Sequence, residues 1–258
     1  MRAGRRLAGF VVPVVAILLW QLVKSTGLLP YDNIPAPSDI WSATVDLITS
    51  GELATDTGHT LAACLGGWAL GSVLGLLLGL LLGLVRPAWT YGMASVEVLR
   101  ALPAISFVPI VVILLAQTVE MEIVIAAWVA IWPVAISTID GVRGVNPVHQ
   151  DLARSLALSP VAKIVKFALP TALPKIVVAL RLSLSAALVL AIVAEIVGDP
   201  AGIGYALVEQ QQSLRPAAMF SYILLTGVLG IVLNFVLVWA LRFVPGARQT
   251  ARGGDDAA

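Results

Sequence analysis

The chain of 258 residues has one cysteine, two histidines, four lysines and only 12% charged residues. Each scarcity excludes a class of function. A lone Cys64 within an apolar run rules out a disulfide framework and a thiolate metal cluster. His59 and His149 lie far apart, and neither His-Glu-x-x-His nor Cys-x-x-Cys spacing occurs, so no metal site is expected. A phosphate loop of the form G-x-x-x-x-G-K-[ST] needs a lysine directly after glycine. Lys24, Lys163, Lys166 and Lys175 follow Val, Ala, Val and Pro, so this chain is not an ATPase of that kind. The glycines of Asp199-Pro200-Ala201-Gly202-Ile203-Gly204 follow an apolar helix rather than a strand and are discounted as a nucleotide cradle. No nucleic-acid partner is expected.

What the chain has is apolar length. It is 59% hydrophobic with a mean hydropathy of +0.95, which places it among polytopic membrane proteins. About 20 apolar residues are needed to cross the bilayer as a helix. Six such segments are expected near residues 9–23, 61–85, 98–116, 123–139, 176–197 and 217–243, in one all-α domain over 1–258. Arg2, Arg5 and Arg6 precede the first segment without a small-residue cleavage site, so that segment is expected to be retained.

Charge alternates between connections. Asp32, Asp39, Asp46, Glu52 and Asp56 follow the first segment, Arg86 the second, and Glu120 and Glu122 the third. Arg143, Arg154, Lys163, Lys166 and Lys175 follow the fourth, Asp199, Glu209 and Arg215 the fifth, and Arg242, Arg248 and Arg252 the last. The excess of Lys and Arg on the cytoplasmic side puts both termini inside. The 142–174 connector is then cytoplasmic, and the tail 246–258 is expected to be disordered.

The connector is polar and helix-prone. Asn146-Pro147 opens one short helix, and Ser159-Pro160 opens a second whose apolar face is Val161, Ile164, Val165 and Ala168. Pro170 and Pro174 are expected to end that helix before the fifth segment. Two roles fit equally from physics: a docking surface that transmits force, or a helix pair lying on anionic lipid.

Gly67, Gly71, Gly75, Gly79 and Gly83 recur every four residues on one helix face, which lets another backbone come close, either within the chain or in a second copy. Pro103, Pro109 and Pro133 interrupt the third and fourth segments and could free backbone groups along a channel. Ser106, Gln117, Trp132 and Ser137 are candidate pathway lining. Glu195 either holds a structural hydrogen bond near the outer interface or lines the path, although a bare carboxylate repels an anion. Fourteen residues before it, Arg181 is expected near the cytoplasmic end of the fifth segment. Glu97 and Arg100 are spaced to pair on one helix face.

The connector resembles the E-A-A loop of permease subunits of bacterial ABC importers. Asp151-Leu152-Ala153 stands at E-A-A, Ala157 at the following Gly, and Phe167-Ala168-Leu169-Pro170 at Ile-x-Leu-Pro, with the spacing intact. Ile34-Pro35-Ala36-Pro37-Ser38, Gly51-Glu52-Leu53, His59-Thr60-Leu61, Leu180-Arg181-Leu182 and the run from Ala194-Glu195 to Gly204-Tyr205 are similar to the nitrate, sulfonate and taurine branch. That branch also imports bicarbonate, pyrimidine precursors, riboflavin and aromatic acids.

The resemblance implies a six-span permease of the type I, methionine-permease-like fold in a bacterial inner membrane. Asn146, Asp151, Leu152, Ala153, Arg154, Ala157, Leu158, Leu169 and Pro170 would couple it to an ATPase subunit dimer. ATP and Mg would sit on that partner, with no cofactor in this chain. It also implies a second copy of the permease, or a similar partner chain, and an extracytoplasmic solute-binding protein. A secondary transporter would instead need paired midplane acids or inverted repeats.

Overall fold

The computed structural model describes residues 2–144, 155–156 and 159–243. The described chain is helical, with no strand. The first helix, α1 (Arg2–Ser25), presents the apolar side chains of Val11, Ile17, Leu18 and Leu22 outward, as lipid contact requires. Lys24 closes it by donating from Nζ to the carbonyls of Leu29 and Tyr31. Helix α2 (Pro37–Ser50) starts with proline at its first turn, where a missing N–H is harmless. The Asp39 carboxylate accepts from the Ala36 N–H at 3.2 Å, and Gly51 ends the helix in the left-handed region at φ 84°.

Helix α3 (Glu52–Leu84) begins nine residues before the expected span. Helix α4 (Arg86–Ala101) follows, then a 3₁₀ turn (Ala104–Phe107) and α5 (Val108–Leu115). The third segment, expected over 98–116 with a proline interruption, is broken into two helices: α4 and the segment Ala104–Leu115 meet at 84°. Pro103 drives Leu102 into extended backbone at ψ 128°, which stops the helix before it. Pro109, by contrast, sits harmlessly in the first turn of α5, and Pro133 lies inside the single helix α6 (Val119–Arg143).

A helical turn (Pro160–Lys163) and a π-helical turn (Ile164–Ala168) run directly into α7 (Leu169–Gly198). The expectation that Pro170 and Pro174 end the connector's second helix is therefore overturned. Pro170 lies in the first turn of α7, Pro174 stays inside it, and the wider π turn accommodates a region short of backbone donors. The bundle closes with α8 (Gly202–Gln212) and α9 (Pro216–Leu241).

Four described helices are long and apolar enough to cross a membrane: Glu52–Leu84, Val119–Arg143, Lys166–Gly198 and Pro216–Leu241. The bent pair is a fifth candidate, and the described apolar part of α1 is the shorter Val11–Ser25. Helices α6 and α7 are the most buried of these and form the centre. The glycine face of α3 lies on α6 in parallel register: Gly67 opposes Ala126, Gly71 Ala130, Gly75 Val134, Gly79 Thr138 and Gly83 Val142, a constant offset of 59. A Cβ on Gly71 would come 2.5 Å from the Ala127 carbonyl oxygen, so only glycine permits this approach. Helix α7 runs back antiparallel, with Ala172 beside Gly141.

Candidate functional site

The two ends of the bundle differ chemically. At one end lie Arg86, Arg143, Lys175 and the Arg242 that caps α9. There the last turn of α6 and the first turns of α7 are clasped. A Cβ on Gly141 would lie 2.5 Å from the Ala172 Cβ, and Lys175 Nζ donates to the Asp140 carbonyl at 3.2 Å. The Arg143 guanidinium covers the Trp89 ring at 4.1 Å, which ties α6 to α4. The chain leaves the bundle after Gly144 and is described continuously again from Ser159 into α7, so both ends of the connector meet this clasp.

Of the residues singled out for coupling, Asn146, Asp151, Leu152, Ala153, Arg154, Ala157 and Leu158 lie outside the described residues. Leu169 is half-buried and Pro170 exposed in the first turn of α7, while Ser155 and Leu156 are exposed.

The opposite end carries a buried polar knot. His59 stands two turns into α3, Glu122 in the first turn of α6, and Asp199 directly after α7. His59 Nε2 lies 3.1 Å from Glu122 Oε1 and 3.7 Å from Asp199 Oδ2. Beside them, Glu195 is 1% exposed, and its Oε2 accepts the Gly204 N–H at 2.7 Å. Gly202, at φ +86°, brings the chain so close to the Glu195 carboxyl group that any Cβ would collide with it. Thr60 Oγ1 accepts from the Ile203 N–H at 3.0 Å, and Tyr222 donates to Asp56 Oδ2 at 2.7 Å. Together these contacts bind the start of α8 and the outer part of α9 to α3.

The candidate pathway residues do not converge. Ser106 and Gln117 are exposed, Ser137 is half-buried, and Glu195 is buried against the α8 turn. Trp132 stands edge-on to Trp128 at 5.2 Å and borders a cavity of about 440 Å³ with Arg100, Pro103 and Val193, whose lining includes none of the other four. Arg100 in turn pairs with Glu97, its Nε 2.7 Å from the carboxylate.

A second groove of about 750 Å³ lies between α7 and α9, where Arg181 Nε donates to Asn234 Oδ1 at 3.2 Å. Arg181 follows Lys175 by six residues (181 − 175), and Asn234 precedes Leu241 at the end of α9 by seven (241 − 234), so this pair lies toward the basic end of the bundle.

Sequence inspection missed the meeting of His59, Glu122 and Asp199. Glu122 reads as a loop acid only if α6 is started at Ile123; the helix in fact starts at Val119.

Relatives and solved structures agree on the architecture. The chain is 31% identical over 224 residues to the aliphatic sulfonates transport permease protein SsuC of Bacillus subtilis (strain 168), covering 87% of this chain and 81% of that protein. It is 31% identical over 225 residues to SsuC of Escherichia coli (strain K12), covering 87% and 86%. To the bicarbonate transport system permease protein CmpB of Synechococcus elongatus it is 25% identical over 256 residues, covering 93% and 91%. In structure it is similar to a chain of the inward-facing MetNI methionine ABC transporter, with TM-score 0.64 and 20% identity over 75% of this chain and 96% of that one. A chain of an amino acid ABC transporter gives TM-score 0.59 at 16% identity, covering 80% and 97%. Residues 71–246, more than half the chain and including the whole connector, match the corresponding family profile. The chain belongs to the family of binding-protein-dependent transport system inner membrane components.

Proposed function

We propose that this chain is the non-catalytic, path-forming subunit of an ATP-driven importer for a small anionic solute of the sulfonate or bicarbonate kind. Two copies surround the path. A pair of separate ATPase subunits, holding ATP and Mg, docks on the 142–174 connector, and a solute-binding protein delivers cargo at the opposite end. The termini and the connector face the cytoplasm of a bacterial inner membrane.

The observation that carries this reading is the chemical polarity of the bundle around the α6–α7 clasp. The connector emerges among Arg86, Arg143, Lys175 and Arg242, whereas Glu52, Glu120, Asp199 and Glu209 mark the other end. An excess of Lys and Arg identifies the cytoplasmic side, where nucleotide is available. Lys24 and Arg215 are exceptions, and both border a cavity with Asp32, Asp39, Asp46 and Glu52. The solute class is supported by the sulfonate and bicarbonate permeases to which the chain is similar. Coupling then requires a rigid joint between connector and spans, a part the clasp is built to play.

Proteoliposomes containing the chain, its ATPase and its binding protein test the proposal, with labelled taurine, nitrate and bicarbonate supplied side by side. Asp151→Arg and Arg154→Glu are expected to lower solute-stimulated ATP hydrolysis about tenfold, equivalent to about 1.4 kcal/mol of coupling. Hydrolysis that stays fully stimulated in both variants contradicts connector docking. Uptake of none of the three anions contradicts the solute class.

A further inference from the structure

We propose that His59, Glu122 and Asp199 form a binding site for one divalent transition-metal ion, with Zn²⁺ as the reference ion, at the acidic end of the bundle. The three side chains come from α3, α6 and the residue after α7, and their ligand atoms all lie within 4.8 Å of one another. An ion held by nitrogen and oxygen at about 2.1 Å in a tetrahedron keeps its ligand atoms about 3.4 Å apart. The two distances from His59 Nε2, 3.1 Å to Glu122 Oε1 and 3.7 Å to Asp199 Oδ2, straddle that edge length. The third edge, between the two carboxylates, lies within 4.8 Å.

Burial and pairing point the same way. Glu122 is 0% and Asp199 6% exposed, yet among the described residues no backbone N–H or hydroxyl donor reaches Glu122 Oε2 or Asp199 Oδ2, and the two carboxyl groups meet only each other and His59. An unpaired buried carboxylate is expensive, and two facing each other are more so. Among the described residues no lysine or arginine comes within 4.0 Å of either, and His59 is their only ion-pair partner. A divalent ion with a neutral imidazole and two carboxylates sums to zero charge without a proton on either acid.

The set also has the form of a binding site. One imidazole nitrogen and two carboxylates suit a borderline ion, and three protein ligands leave a fourth position for water. His59, with its side chain 24% exposed, gives the route from outside, while both carboxylates are closed off. The turn that carries Asp199 is fixed by the Thr60 and Glu195 contacts with Ile203 and Gly204, the supporting contacts that hold ligands in place. A bound ion clamps the ends of α3, α6 and α7 farthest from the connector.

The experiment uses the full-length purified chain, stripped with EDTA and titrated with Zn²⁺ against a fluorescent zinc indicator. Bound metal is counted by mass spectrometry, and Co²⁺ replacement gives a visible spectrum. Expected are one ion per chain, a tetrahedral cobalt spectrum without thiolate charge transfer, and at least about tenfold weaker binding in His59→Ala, Glu122→Gln and Asp199→Asn. Glu120→Gln, an exposed acid on the same turn as Glu122, is expected to bind as the unaltered chain does. Absence of stoichiometric uptake by the unaltered chain overturns the proposal, and is the outcome if the two carboxylates share a proton instead. Uptake that persists in all three variants also overturns it. Should the variants fail to fold, the stoichiometry and cobalt spectrum of the unaltered chain decide.

Discussion

A methyl group placed on Gly75 would lie 2.5 Å from the carbonyl oxygen of Ile131, so α3 and α6 touch backbone to backbone midway along their contact. Lipid offers apolar side chains as good an environment as another helix does, so this closeness, rather than hydrophobic burial, holds the pair together. Gly75→Ala is expected to destabilise the purified chain by about 1–3 kcal/mol, and Gly75→Leu to leave no monodisperse protein on size-exclusion chromatography. Gly227→Ala is the control, because a Cβ there meets nothing within 4 Å. Equal thermal stability of Gly75→Ala and Gly227→Ala would contradict the close-packed account.

The four-residue period of Gly67 to Gly83 was readable as one face because helix geometry alone fixes it. What that face meets was not, since contact within the chain and contact between copies leave the same periodic trace. Alternating charge was equally plain, because each basic or acidic cluster is local. The break at Leu102-Pro103 was only half readable: proline forecasts an interruption, but the angle depends on how α5 packs against α6 and α7. His59, Glu122 and Asp199 are separated by 63 and 77 residues (122 − 59, 199 − 122), and no local pattern links them. Extending the 59-residue offset one turn outward from Gly67 pairs Ala63 with Glu122 and leaves His59 one turn beyond, so the glycine register held a trace of the cluster.

Trp68 links α3 to α7 through one atom. Its indole Nε1 donates to the Leu180 carbonyl at 3.0 Å and lies 3.1 Å from Ser183 Oγ, which itself donates to Leu180. Trp68→Phe removes the donor together with the five-membered ring that carries it, so a loss of about 0.5–1.5 kcal/mol is expected from the hydrogen bond, with a further loss from the ring volume. The check is thermal unfolding in detergent, paired with Ser183→Ala. If the two losses add without interaction, the shared network assigned to these three residues is wrong.

The turn from α7 to α8 depends on Gly202. Its φ of +86° and the adjoining Glu195 carboxyl group both disfavour a side chain. Gly202→Ala is expected to cost about 1–3 kcal/mol from backbone strain alone, and more once Glu195 is displaced. Glu195→Gln, which keeps an oxygen acceptor for the Gly204 N–H, is expected to be milder than Glu195→Ala, which leaves that donor unmet. The ranking of midpoint temperatures tests it: Glu195→Ala as stable as Glu195→Gln would remove the hydrogen bond from the account.

Orientation in the membrane can be read with thiols because the chain supplies its own blank. Cys64, the only cysteine in the sequence, is 0% exposed on α3, within the packed core formed with α6 and α7. A membrane-impermeant maleimide is therefore expected to leave the unaltered chain unlabelled until it is denatured, since only an accessible thiolate reacts. Ser42→Cys, exposed on α2 at the acidic end, and Ser155→Cys, exposed within the connector, then report one side each. If the basic end faces the cytoplasm, intact spheroplasts label Ser42→Cys and spare Ser155→Cys, and inverted vesicles do the reverse. Labelling of Ser155→Cys in intact spheroplasts would place the connector outside, where no ATPase could reach it.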